Sequence, residues 1–237
     1  MTTNIDEHYI LHEIEKRGNW TIIIRPPTFA ENRLNFEEAR DVMKKSAVNL
    51  RSWKYPMFIE IPRRDGGIKV RRDCIECIID HRVNKEIWRL YQSGQFFHRF
   101  SFREDWPDYE ESNKKLDILN TLFRLTEIFR FASALSANHD SFSGGTSIEI
   151  ELRDLSNRIL STRDPSRTLT YDYQCDEYSL KCIKDYSAEE IRVHSSELAI
   201  NCALEIFNRF SWLNPGLAEL LRMEQESLLD GNSWSYG

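Results

Sequence analysis

The sequence lacks long hydrophobic runs. Its longest uncharged apolar runs span only a few residues, such as residues 20–24, whereas a helix that crosses a membrane needs about 20. The first residues, MTTNIDEHYILHEIEKRG, are polar and acidic, and they lack the basic and then apolar order of a secretory signal. We therefore expect a cytoplasmic protein with no membrane partner.

Fingerprints of catalysis and cofactor binding are also missing. The chain has no Walker loop, no GxGxxG, no HExxH and no Arg-x(4–6)-His spacing of small ribonucleases. His139 and Asp140 stand beside two serines, but these lack the Gly-x-Ser-x-Gly elbow, and triads are assembled from separated elements. The sequence thus predicts no catalytic residue and no cofactor, and it favours a protein that is not an enzyme.

The five cysteines show no regular spacing, and their odd number argues against a disulfide framework. Cys74, Cys77 and His81 have the spacing of half a zinc site, but no second half follows downstream. In a strand, Cys74 and Cys77 also project to opposite faces. We predict reduced, mostly buried thiols and no metal site.

The most specific feature that is present is an aromatic segment, residues 86–106. It holds seven aromatic residues in 21, against 12% aromatic residues in the whole chain. A two-residue loop at Ser93-Gly94 predicts a hairpin in which Arg89 faces His98. Both faces of this hairpin carry large rings, which is typical of central, covered strands.

The remaining pattern predicts an α+β protein, a mostly antiparallel sheet packed against a long central helix with a smaller C-terminal α/β part. Residues 108–138 repeat apolar residues at spacings of three and four, which indicates the long helix. The HDSFSGG sequence at 139–145 is the best linker. We therefore place an N-terminal part at 1–138 and a C-terminal part at 146–237, and one continuous domain is the alternative.

Charge is distributed unevenly along the chain. Residues 51–103 contain twelve basic and six acidic residues, a surplus of six positive charges, while the whole chain carries −6. Basic residues near aromatic rings can hold single-stranded nucleic acid, or they can pair with acidic parts of the same fold. The candidate nucleic-acid or anion-binding residues are Arg63, Arg64, Lys69, Arg71, Arg72, Arg89, His98 and Arg99.

Our main interpretation is a non-enzymatic binding or adaptor protein that contacts nucleic acid or a partner protein through this basic, aromatic sheet. One alternative is a metal-dependent phosphodiester hydrolase, because Glu149 and Glu151 share a strand face with Arg153 and paired carboxylates can hold magnesium. A second alternative is a structural subunit of a larger complex or a homo-oligomer, with the aromatic surface buried against its partner.

A resemblance adds context to this interpretation. WRLYQSGQF at 88–96 and EDW at 104–106 resemble a family of bacterial proteins of unassigned function that is associated with mobile elements and phage defence. LRDLSNR at 152–158 and FNRFSW at 207–212 are similar to the same family. The resemblance implies a bacterial, cytosolic protein that acts as a subunit or sensor of a larger system, and it carries no catalytic residues.

Overall fold

The computed structural model describes residues 6–60, 66–81, 84–106, 114–162 and 169–231. The helices in these ranges are α1 (Glu7–Glu15), α2 (Phe36–Ser46), α3 (Ile118–Asn138), α4 (Ala188–Asn208) and α5 (Leu217–Leu229). The strands are β1 (Asn19–Arg25), β2 (Gly66–Val70), β3 (Cys74–His81), β4 (Asn84–Tyr91), β5 (Phe96–Ser101), β6 (Lys115–Asp117), β7 (Thr146–Arg153), β8 (Arg158–Ser161), β9 (Gln174–Cys175) and β10 (Ser179–Tyr186).

Seven strands form the main sheet, in the order β10-β7-β1-β5-β4-β3-β2. Every neighbouring pair in it is antiparallel. A small second sheet, β6-β8-β9, contains one parallel pair. The prediction of an α+β fold with an antiparallel sheet packed against a long helix is confirmed.

The long helix α3 covers one face of the main sheet, which we call the helix face. Its buried residues Leu122, Leu125 and Phe129 recur at the predicted spacing, which presents one apolar stripe. The Phe131 ring of α3 lies 4.7 Å from the Phe96 ring of β5, centroid to centroid. The helix begins at Ile118; residues 115–117 form β6, and 107–113 lie outside the described part of the chain.

Helix α1 covers part of the opposite face, which we call the outer face. Its Ile10 and Ile14 are fully buried against Ile78 of β3 and Ile87 of β4. The strands β3, β4 and β5 are therefore covered on both sides, as the large residues on both faces of the aromatic segment predict.

The β4–β5 hairpin corrects the predicted register by one residue. Its loop has three residues, because Tyr91 and Gln95 are joined by a backbone hydrogen bond of 2.9 Å. Gly94 supplies the positive φ, +86°, that closes such a loop. Trp88 therefore faces His98, where the sequence predicted Arg89. A slip of one residue moves every β5 side chain to the other face of the sheet.

The predicted linker at 139–145 lies between α3 and β7. It contains a short 3₁₀ helix, Asp140–Phe142, whose Phe142 is buried in the main core. After it, β7 pairs with β1 and β10 pairs with β7. Strands from both sides of the linker thus belong to one sheet.

The loop of the β4–β5 hairpin allows a test of the positive φ at Gly94. Gly94→Ala should lower the free energy of unfolding by about 1–2 kcal/mol, because alanine disfavours a positive φ. Its Cβ would also lie 3.0 Å from Pro26 Cγ. Urea denaturation measures the change, and Ser93→Ala in the same loop is the control, with an expected change under about 0.5 kcal/mol. Equal effects of the two substitutions would argue against a positive φ at residue 94.

Candidate functional site

Most rings of the aromatic segment pack in the core. Five of the seven are buried, and Tyr91 and Phe97 are half-buried. Trp88 and Phe96 are fully buried on the helix face, and the Trp88 Nε1 donates a hydrogen bond of 2.7 Å to the Met57 carbonyl. These rings do not form the exposed stacking platform that single-stranded nucleic acid uses.

The predicted basic residues are distributed over different surroundings. Arg63 and Arg64 lie outside the described residues. Lys69 is half-buried on β2, and the exposed Arg71 and Arg72 follow that strand. The other three candidates, Arg89, His98 and Arg99, lie on β4 and β5.

Carboxylates neutralise the arginines of the outer face. Arg89 Nε donates a hydrogen bond of 2.8 Å to Glu76 Oε2 and also pairs with Glu7. The same Glu76, whose side chain is 1% exposed, lies 2.6 Å from Arg71 Nη2. Arg99 Nη1 lies 2.8 Å from Glu15. Because α1 supplies both Glu7 and Glu15, the helix that covers this face also neutralises its charge.

His98 lies on the helix face and is completely buried. Its Nδ1 is 3.2 Å from the Tyr55 hydroxyl, and its Nε2 is 3.2 Å from Glu86 Oε2. Burial lowers the pKa of His98 from its usual 6.5. The structure therefore separates His98 from the arginines with which it was grouped.

Tyr55, His98 and Glu86 have the order of a nucleophile, a base and an orienting carboxylate. Sequence reasoning missed this chain of contacts because its members come from separate segments. Only 1% of Tyr55 is exposed, and burial raises its pKa well above 10.0. A hydroxyl that is almost wholly buried and that holds its proton tightly is suited to positioning the core.

A second buried network lies beside this one. Glu127 is fully buried and accepts two hydrogen bonds from Arg51, of 2.8 and 2.6 Å. Arg124 Nη1 lies 3.1 Å from the same carboxylate, and its guanidinium carbon is 4.8 Å from the centroid of the Phe100 ring. These contacts tie α3 to the segment between α2 and β2, which is again a structural role.

The carboxylates of the hydrolase alternative are engaged in ion pairs. Glu149 Oε2 lies 2.7 Å from Arg25, and its Oε1 lies 2.6 Å from Lys181. Glu151 Oε1 lies 2.9 Å from Arg153. Within the described ranges, no group of three or more His, Cys, Asp or Glu side chains is placed to hold a metal ion.

The cysteines are free thiols in the structure. Four of the five are buried, and Cys182 is half-buried. Burial raises the pKa of Cys74 to about 11 and that of Cys77 to about 12. Such thiols hold their protons at neutral pH, so neither is a ready nucleophile.

The edge strand β10 is a different kind of candidate. In the part of the chain that the structure describes, β7 pairs with one side of β10 and no strand pairs with the other. A groove of about 500 Å³ runs between β10 and α4, with Ile150, Leu152 and Leu180 among its lining residues. Ile183, on the outer face of the same strand, is 54% exposed. Sequence reasoning missed this edge because the order of strands in a sheet is not encoded locally.

The opposite edge of the sheet is engaged differently. Ile68 of β2 donates its backbone N–H to the Ile59 carbonyl at 3.1 Å. The chain before β2 therefore satisfies part of that edge. Among the described strands of the main sheet, β10 therefore has the more open edge.

Comparisons with known proteins do not discriminate between the functional interpretations. A scan against protein-family models, a search of curated proteins and a search of solved structures gave no significant match to this chain. The resemblance to a phage-defence family thus stays a prediction. Among the described helices, none is both long and apolar enough to cross a membrane.

The buried ion pair at Glu76 can be tested by substitution. Arg89→Met should lower the free energy of unfolding by about 2–3 kcal/mol, because it removes one of the two arginines that neutralise a buried carboxylate. The control is Arg153→Met, which removes an ion pair whose arginine is 45% exposed and should cost less than about 1 kcal/mol. Urea denaturation measures both, and equal small effects would contradict the neutralising role.

The buried imidazole predicts a dependence of stability on pH. Because burial lowers the pKa of His98 in the folded protein, the unfolded chain binds the proton first as pH falls. The contribution of His98 to the free energy of unfolding is therefore fully present above about pH 6.5 and is lost as pH falls from there toward the lowered pKa. Wild-type protein should lose more stability than His98→Gln between about pH 7 and 5, by at most ~1.4 kcal/mol per pH unit. Parallel curves of unfolding free energy against pH for the two proteins would refute this prediction.

Proposed function

We propose that this protein is a non-enzymatic binding or adaptor protein and that it takes a protein partner by strand addition at β10. The observation that carries the proposal is that one edge of an eight-residue strand, beside a groove, has no pairing strand among the described residues. Strand addition joins main-chain groups by hydrogen bonds, while pockets beside the strand select side chains.

The composition of the groove fits this use. Its apolar lining includes Ile150, Leu152 and Leu180, and the charged residues Glu205 and Arg209 also line it. Every second side chain of an added strand would point toward this helix-face side. The partner that fits is an extended segment that places apolar residues over the groove.

The nucleic-acid interpretation has less support in the described structure. Arg89 and Arg99 are paired with carboxylates under α1, and His98 is buried in the core. Phosphate binding would have to break these pairs before it gained new ones, whereas a phosphate-binding surface keeps its cations available.

The hydrolase interpretation meets a similar obstacle. Both oxygens of Glu149 already lie within 2.7 Å of a cation, so magnesium would compete with Arg25 and Lys181. The structural-subunit interpretation is compatible with the proposal, because it also requires a protein partner.

A selection experiment tests the edge without knowledge of the partner. Random peptides displayed on phage would be selected on the immobilised protein, and the best peptide measured by fluorescence polarisation. Ile183→Lys should weaken its binding about tenfold, because a lysine replaces the apolar cross-strand contact at the edge. Met223→Lys, which changes a 61% exposed residue of α5, should leave binding unchanged.

Two results would overturn the strand-addition site. One is the absence of any selected peptide. The other is a peptide that binds Ile183→Lys and wild-type protein equally well, because such a peptide occupies another surface.

A further inference from the structure

The outer face of β10 carries a short self-complementary pattern. Lys181, Ile183 and Asp185 alternate along it, so a cation, an apolar residue and an anion follow one another. Ile183 is 54% exposed. Asp185 is exposed and forms no ion pair within the described ranges.

Two antiparallel copies of this strand complement each other. If Ile183 lies on a two-fold axis, it faces its own copy, and Lys181 of each chain faces Asp185 of the other. Opposite charges directly across an antiparallel pair are favourable, and one patch that serves both partners is the property of an isologous dimer. We infer that the partner added at β10 is a second copy of this chain, so that two seven-stranded sheets join edge to edge.

Neighbouring registers are less favourable. Both copies must keep their helix layers on the same side of the joined sheet. Because side chains alternate between the two faces, only registers in which the two-fold axis moves by a whole residue meet this condition. An axis at Lys184 would place two lysines opposite each other, which is destabilising. With the axis at Cys182, Lys181 of one copy would lie opposite Ile183 of the other, and Asp185 would have no cation opposite it.

The lysines of β10 do not block this edge. Lysines on edge strands often prevent pairing with other chains. Here Lys181 lies 2.6 Å from Glu149 and Lys184 pairs with Glu205, so each is held by its own chain. In the dimer, Asp185 of the second copy would extend the Lys181–Glu149 pair into a three-residue network.

A disulfide trap tests the register directly. Ile183→Cys would be made together with Cys182→Ser, which removes the adjacent native thiol. Across the two-fold axis the Cα atoms at 183 should be about 4.5–5.5 Å apart, which suits a disulfide. Dissolved oxygen, the oxidant, takes two electrons and two protons from the two thiols, and a covalent dimer should appear on a non-reducing gel.

The control for the trap is Asp185→Cys with the same Cys182→Ser change. In the proposed register this cysteine faces Lys181 of the other copy, so it should form little covalent dimer. Equal cross-linking at 183 and 185, or none at 183, would overturn the register.

A charge exchange tests the association itself. Asp185→Lys should weaken dimerisation about tenfold in sedimentation equilibrium, because it places like charges opposite each other twice. Adding Lys181→Asp restores opposite charges and should restore the dimer. Asp41→Lys makes the same change at an exposed position of α2 and should have no effect. Circular dichroism verifies that each variant is folded.

This inference rests on the proposed function, because it names the partner of the same edge, but the two can fail separately. A monomer at every concentration that still binds the selected edge peptides overturns the self-association and leaves the strand-addition site. A monomer that binds no peptide overturns both. A dimer that Asp185→Lys does not weaken and that the Ile183→Cys variant does not cross-link forms through another surface. This result also overturns the inference.

Discussion

The register of the β4–β5 hairpin is the constraint on which the rest of the structure depends. Gly94 at φ +86° closes a three-residue loop, and the loop decides which face each β5 side chain takes. It places Phe96, His98 and Phe100 under α3 and leaves Arg99 on the outer face. The buried histidine then needs Tyr55 and Glu86 as partners, while the arginine needs a carboxylate from outside the sheet.

Helix α1 meets that second need. It packs two isoleucines on the sheet and brings Glu7 to Arg89 and Glu15 to Arg99. Burying an arginine without a partner would be costly, so burial and charge compensation at this face arise together. With β3 to β5 covered on both faces and the β2 edge partly satisfied, the open edge of the described sheet is β10, where we propose that a partner adds a strand.

Local patterns made part of this fold predictable. Apolar spacing predicted α3, whose buried residues lie along one stripe of the helix. The hairpin register was wrong because both two-residue and three-residue loops accept a glycine. The partners that α1 supplies to Arg89 and Arg99 could not be predicted, because Glu7 and Glu15 come from more than 80 residues away and the segment between carries no signal for the pairing.

The most direct test of an open and self-pairing edge is hydrogen–deuterium exchange of residues 179–186 at increasing protein concentration. Alternate amides of an edge strand point away from the sheet and exchange quickly unless another strand covers them. We predict fast exchange of these amides in dilute protein and protection in concentrated protein, with β5 protected throughout. Protection of all β10 amides in dilute, monomeric protein would contradict the account, because the edge would then already be covered.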